Sequence, residues 1–155
     1  MFQPRKILVP MDFSEDADRA FQVALSIASR YQARIFLLHV IHNIIQPYVV
    51  DYCVDKNIAD IVMNVSIVSS NEKLQETIEN NQDIGNIKVL YYVRKGQPYE
   101  EILQEASERE IDLIVIASHG KTGLKKYFIG SVAEKVMKEA KCPVLLIRSH
   151  KKDEV

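Results

Sequence analysis

Five short apolar runs set the terms on which this chain can fold. They are Lys6 to Pro10 (KILVP), Ala33 to Val40 (ARIFLLHV), Ile87 to Val93 (IKVLYYV), Ile111 to Ala117 (IDLIVIA) and Val144 to Arg148 (VLLIR). Their length suits strands. The almost wholly apolar KILVP suits a strand buried on both faces of a parallel sheet. Partial alternation in IKVLYYV suits a sheet edge.

Stretches of helical spacing separate these runs. Ser14 can cap a helix whose first turn carries Glu15 and Asp16, where the helix dipole favours acids. Ala17, Ala20, Phe21, Ala24, Leu25 and Ala28 then form one apolar face. Ile58, Ile61, Val62 and Val65 are spaced helically, and Leu74 and Ile78 resume the pattern after a phase slip near SIVSS. This reads as one long or broken helix to about Asn80. Pro98 is placed for the first position of a third helix with Ile102, Leu103 and Ala106 on its face. Ser131 opens a last helix with Val132, Ala133, Val136, Met137 and Ala140 buried, ended by Cys142-Pro143. Residues 41–55, broken by Pro47, read equally as a short strand, a surface loop or a helix start.

Strand and helix alternate throughout. The expected class is therefore α/β, an open five-stranded parallel sheet with helices on both faces. Right-handed crossovers allow the strand order 3-2-1-4-5, in which the winding reverses between the first and fourth strands. Ligands of open parallel sheets favour the carboxyl ends of the strands at that reversal. Here those ends are VPMDF and IASHG. Residues 1–150 are expected to form one domain, with 151–155 as a tail.

Composition excludes more than it selects. The chain has 155 residues, and its net charge of -1 gives no global attraction to nucleic acid or an anionic membrane. The N-terminal apolar run is too short for a signal peptide, and no segment approaches the ~20 apolar residues of a membrane span. Cys53 and Cys142 lie far apart without a histidine pattern, so neither a metal site nor a disulfide framework is expected. The reducing cytoplasm is the default compartment.

The chemistry concentrates in Ala117 to Ser131, ASHGKTGLKKYFIGS. Its GKT resembles the end of a Walker A loop, but Val115 stands where that motif needs its first glycine. A polyphosphate needs several backbone N–H groups and little side-chain bulk. Gly120, Gly123 and Gly130 allow close approach, Ser131 adds a hydroxyl, and Lys121 can add charge. The first helix is a poorer anion site because Glu15 and Asp16 occupy its positive end, which leaves Asp12 for a base or ribose. The same residues also read as ordinary punctuation, with Ser131 and Glu134 forming a capping box that needs no ligand. His119 reads as a phosphate contact, a base or polar surface, and Asp12 as a metal or ribose contact or a turn aspartate. No nucleophile–base pair or catalytic carboxylate pair stands out.

Taken together, KILVPMDFSEDA, LLHV, DLIVIASHGKTGLKKYFIGSVAEKV and CPVLLIR resemble the universal stress protein family over nearly the whole chain. The resemblance implies a five-stranded open α/β fold, usually dimeric, with some members binding ATP and others not. The family's ATP-binding pattern is Gly, two residues, Gly, nine residues, then Gly-Ser or Gly-Thr. Gly120, Lys121 to Ile129 and Gly130-Ser131 match it, whereas Ala117 stands at the first glycine. By the resemblance, Asp12 and Val40 fall where adenine and ribose are held, and Pro10 and Met11 line that pocket. Ser118, His119, Gly120, Ser131 and Val132 fall around the phosphates, with Lys121, Thr122 and Gly123 in the loop between. The ligand implied is ATP with Mg²⁺. If position 117 requires positive φ, alanine costs roughly 1 kcal/mol; if it requires only a small residue, almost nothing.

Three readings follow. The first is a nucleotide-binding, dimeric regulatory protein, at most a slow ATPase. The second is a dimeric interaction module that uses no nucleotide, its last strand (Val144, Leu145, Leu146, Ile147) pairing across an open edge. The third, an adenylyl transferase or ATP pyrophosphatase, lacks the SGGxDS or HxGH signature in VPMDFSED.

Overall fold

The computed structural model describes residues 1–42, 55–120 and 128–148. Strands β1 (Lys6–Pro10), β2 (Arg34–Ile41), β3 (Val89–Lys95), β4 (Leu113–Ala117) and β5 (Val144–Ile147) form one sheet. Helices α1 (Glu15–Tyr31), α2 (Lys56–Glu79), α3 (Pro98–Glu108) and α4 (Ser131–Glu139) connect them. All pairings are parallel and the order is β3-β2-β1-β4-β5, as the alternation and the crossover rule require.

Both faces of the sheet are covered. Ile7, Val9, Ile35, Leu37, Leu113 and Val115 pack with Phe21 and Leu25 of α1 and Leu74 of α2. Leu8, Phe36, Leu38, Ile114 and Ile116 turn the other way and pack with Ile102 of α3 and Ala133 and Val136 of α4. Successive strand residues point to opposite faces, so a strand covered twice must be apolar at every position. That explains the unbroken runs at Ile7 to Val9 and Leu113 to Ile116.

Local chemistry fixes the ends of these elements. Ser14 Oγ accepts the Ala17 N–H at 3.2 Å and starts α1. Ala17, Ala20, Phe21, Ala24, Leu25 and Ala28 are all buried on the expected face. The four alanines let the helix lie close to the sheet. Strand β3 begins later than its apolar run because the Ile87 N–H bonds the Ile84 carbonyl in a preceding turn. Ile111 precedes β4 for a similar reason: its N–H bonds the Ala106 carbonyl behind α3.

Three expectations are corrected. Met137 of α4 is exposed rather than on the buried face. Helix α2 is continuous, but Ile58, Ile61, Val62 and Val65 are exposed rather than packed, and only Ser70 and Leu74 are buried. Nor does the Ser131–Glu134 capping box form. Gly130 is the cap residue with no side-chain capping bond, and the Glu134 carboxylate instead accepts from Lys138 Nζ at 2.6 Å. An i,i+4 partner of opposite charge draws Glu134 away from the helix start.

The β3–α3 layer is held by an ion-pair network. Arg94 reaches Glu101 at 2.6 Å, Glu105 at 2.7 Å and Glu108 at 3.0 Å, and Arg109 pairs with the other oxygen of Glu105. The Arg109 guanidinium also lies 3.8 Å from the centroid of Tyr92. Glu105 is 2% exposed, and its two oxygens take their hydrogen bonds from the two arginines. Glu105→Ala should lower stability by about 2 kcal/mol in urea unfolding, and Glu105→Gln by less because the amide oxygen still accepts. A loss from Glu105→Ala no larger than that of an exposed substitution would contradict this role.

Candidate functional site

Strands β1 and β4 are neighbours, yet α1 leaves β1 to one face and α4 leaves β4 to the other. The connections diverge at the carboxyl ends and a crevice opens between them. It encloses about 550 Å³, within the range of small-molecule sites. The β1 end contributes Pro10, Met11 and Asp12, and the β4 end Ile116, Ala117, Ser118, His119 and Gly120. Gly130, Ser131, Val132 and Ala133 enter from the start of α4, and Leu38, His39, Val40 and His42 from β2. Ala17, Pro98 and Ile102 complete the wall.

Every described residue expected from the sequence to contact a nucleotide therefore lines one cavity. Lys121, Thr122 and Gly123 lie outside the described residues. The sequence reading missed Leu38, His39, His42, Ala17, Pro98, Ile102, Ile116 and Ala133. The carboxyl end of LLHV was the available signal for the β2 group. Nothing local marks Pro98 and Ile102, which arrive through the crossover from β3.

The loop after β1 is built around Asp12. Its Oδ1 accepts from the Ser14 N–H at 3.0 Å and from the Ser14 hydroxyl at 2.5 Å. Its Oδ2 lies where Gly120 comes closest, 2.5 Å from the position a Cβ would occupy there. A side chain at position 120 would have to displace the Asp12 carboxylate. Phe13 takes a left-handed φ of 63°, a disfavoured conformation for a non-glycine residue, and its ring packs on His39 with centroids 4.6 Å apart. His39 Nδ1 lies 2.7 Å from the Met11 carbonyl. That oxygen can only accept, so Nδ1 carries the hydrogen. The Met11 N–H in turn donates to the Leu38 carbonyl at 2.8 Å, which ties the loop to β2.

The chain leaves β4 and returns at one point. Ser118 donates its N–H to the Ile147 carbonyl at 2.8 Å, and its own carbonyl accepts from Gly130 at 2.7 Å. A Cβ on Gly130 would stand 3.2 Å from that carbonyl. Ala117 remains in β4, in register with Ile147, and is not a positive-φ residue. Of the two costs considered for alanine at this position, the backbone cost is therefore absent.

Of the acids at the start of α1, Asp12 lines the crevice, whereas Glu15, Asp16 and Asp18 lie outside its wall and Asp18 lines a separate pocket. Burial, then Asp12 and Glu15, push the Asp18 carboxyl above its ordinary value. Among the described residues no side chain caps α4, and its first residues, Ser131 to Ala133, line the cavity with the positive end of the helix. Ser118 Oγ and His119 Nδ1 are 2.9 Å apart, while buried His119 Nε2 has no hydrogen-bond partner among the described residues. An unpaired buried nitrogen costs about 1–3 kcal/mol, which a ligand oxygen here would relieve. No group of three metal-ligating side chains occurs among the described residues.

The comparisons agree with this architecture. The family model described as the universal stress protein family matches residues 4–148. Universal stress protein MJ0531 of Methanocaldococcus jannaschii is 30% identical over 149 residues, spanning 96% of this chain and 85% of that protein. MJ0577 of the same organism is 30% identical over 154 residues, spanning 93% and 94%. Its solved structure, described as a test case for structure-based assignment of biochemical function, superposes with a TM-score of 0.81 over 97% of this chain and 99% of that one. The universal stress protein of Archaeoglobus fulgidus in complex with dAMP shares the fold, with a TM-score of 0.62 at 18% identity over 95% and 99% of the two chains. By sequence and by fold, this chain belongs to the universal stress protein family.

Proposed function

We propose that this protein binds ATP, as its magnesium complex, in the crevice between β1 and β4, and acts as a dimeric regulator in the cytoplasm. The observation that carries the reading is the uncapped start of α4, which opens into the same cavity as Asp12. The two ends of the site differ in sign. The α4 end presents backbone N–H groups and His119 Nε2, which has no partner among the described residues, a set suited to phosphate oxygens. The β1 end presents a carboxylate beside Met11 and Val40, suited to ribose hydroxyls and an adenine ring. Mg²⁺ would travel with the phosphates. The dAMP complex of the Archaeoglobus protein is consistent with an adenine nucleotide on this fold. Any hydrolysis would be slow, and ATP would act as a ligand that biases the protein's conformation or partner choice.

Calorimetry with Mg²⁺-ATP tests this directly. Saturable one-site binding is expected, and no heat together with no nucleotide retained through purification would refute it. Asp12→Ala should weaken ATP at least tenfold, about 1.4 kcal/mol, while leaving inorganic tripolyphosphate binding nearly unchanged. Equal losses for both ligands would assign Asp12 to folding of the loop instead. Ala117→Gly should shift ATP affinity by less than about threefold, since no backbone strain is there to relieve.

The dimer contact we propose is β5. It is the edge strand next to β4, and Leu145 on it is 37% exposed. An apolar open edge invites pairing with the same edge of a second copy. Leu145→Lys should reduce the mass seen in sedimentation by half, and an unchanged mass would exclude this edge.

A further inference from the structure

Helix α2 carries an apolar face that the sheet does not use. In its first half Ile58, Ile61, Val62, Val65 and Val68 are all exposed, from 44% at Val62 to 63% at Val65. The helix's buried residues, Ser70 and Leu74, both lie in its second half. Ile58, Ile61, Val65 and Val68 repeat at alternating intervals of three and four, the seam of a helix pair sustained for two heptads. Val62 widens that seam on one side. The stripe runs about 15 Å along the helix. The next seam positions are Glu72 and Gln75, so the pattern stops where α2 settles onto the body.

We propose that this stripe is a contact between two copies of the chain, α2 against α2. Area is the first argument. The five side chains are each 44–63% exposed, and pairing two copies takes apolar area out of water on both helices at once, at about 25 cal/mol per Å².

Charge is the second argument. From Ile58 to Asn71 the only charged residue is Asp60, and the seam is flanked by Asn57, Asn64, Ser69 and Asn71. A face that pairs with itself meets its own charges, so it must be neutral; a face for an acidic or basic partner would carry the opposite sign. Side-chain stiffness is the third argument. All four seam residues are β-branched and nearly fixed in χ1 within a helix, so they lose little freedom on docking.

The contact is separate from β5. Helix α2 packs on β3 and β2, at the margin of the sheet opposite β5. With both contacts made, two dimers paired through β5 join through α2 into a tetramer, and loss of either contact halves that mass.

Sedimentation velocity on the full chain tests the proposal with two variants, Ile61→Lys/Val65→Lys and Ile61→Glu/Val65→Glu. Each should sediment at half the native mass, with unchanged circular dichroism and unchanged Mg²⁺-ATP binding. An equimolar mixture of the two should recover the native mass, because opposite charges then face each other whatever the register. Native mass retained by either variant alone would overturn the contact, and so would a mixture that stays at half mass. If instead Leu145→Lys halves the mass while the α2 variants do not, β5 is the interface and the α2 proposal fails.

Discussion

The structure depends on one packing constraint: the central strands are apolar on both faces, so both faces must be covered. Ile7 and Val9 commit β1 to α1, and Leu8 between them commits it to the α3 and α4 side. Two connections leaving adjacent strands for opposite faces cannot fill the space between their first turns. The crevice is a geometric consequence of the core, formed before any residue in it is chosen for binding. Burial of the flanking strands gives it rigid walls.

Within that crevice, the details are matters of clearance. A side chain at position 120 would displace the Asp12 carboxylate, and one at 130 would press on the Ser118 carbonyl at 3.2 Å. Position 117 imposes no such demand. It is an ordinary strand residue paired with Ile147, so alanine replaces glycine without strain. The family's glycine pattern therefore mixes positions of different physical kinds. A departure at one position does not have the weight of a departure at another. The opposite signs at the two ends follow similarly. Ser14 and the acids of α1 satisfy one helix start, while Glu134 turns to Lys138 and leaves the start of α4 uncapped.

Much of this was legible from residue patterns. The six buried positions of α1 followed from spacing because that helix has one covered face, and the strand order followed from alternation and handedness. What failed had physical causes. Helical spacing at Ile58 to Val65 reports that an apolar face exists, but burial depends on what lies opposite, and the sheet lies under the other half of α2. The capping box at Ser131 required Glu134 to reach back, and a lysine one turn ahead competes for the same carboxylate. Pro98 and Ile102 reach the cavity through the crossover from β3, so no local pattern announces them. Glu105 is the same case in the core. It sits one turn from Ile102 on the inner face of α3, and only the Arg94 of a different element explains a buried carboxylate there.

Helix α2 also shows how one element can serve two constraints. Leu74 is fully buried and anchors the second half over β2 and β3, which fixes the direction of the first half. Extension of the helix toward Lys56 continues from that anchored nucleus, each added turn making its own backbone hydrogen bonds. The apolar seam contributes nothing to that extension and leaves β-branched residues in water. Its cost in hydration is the same in every molecule, whereas its gain exists only when a second surface covers it. A neutral seam with two heptads of regular spacing is matched best by another copy of itself. The asymmetry between the anchored half and the exposed half is therefore a property of association rather than of the single chain's core.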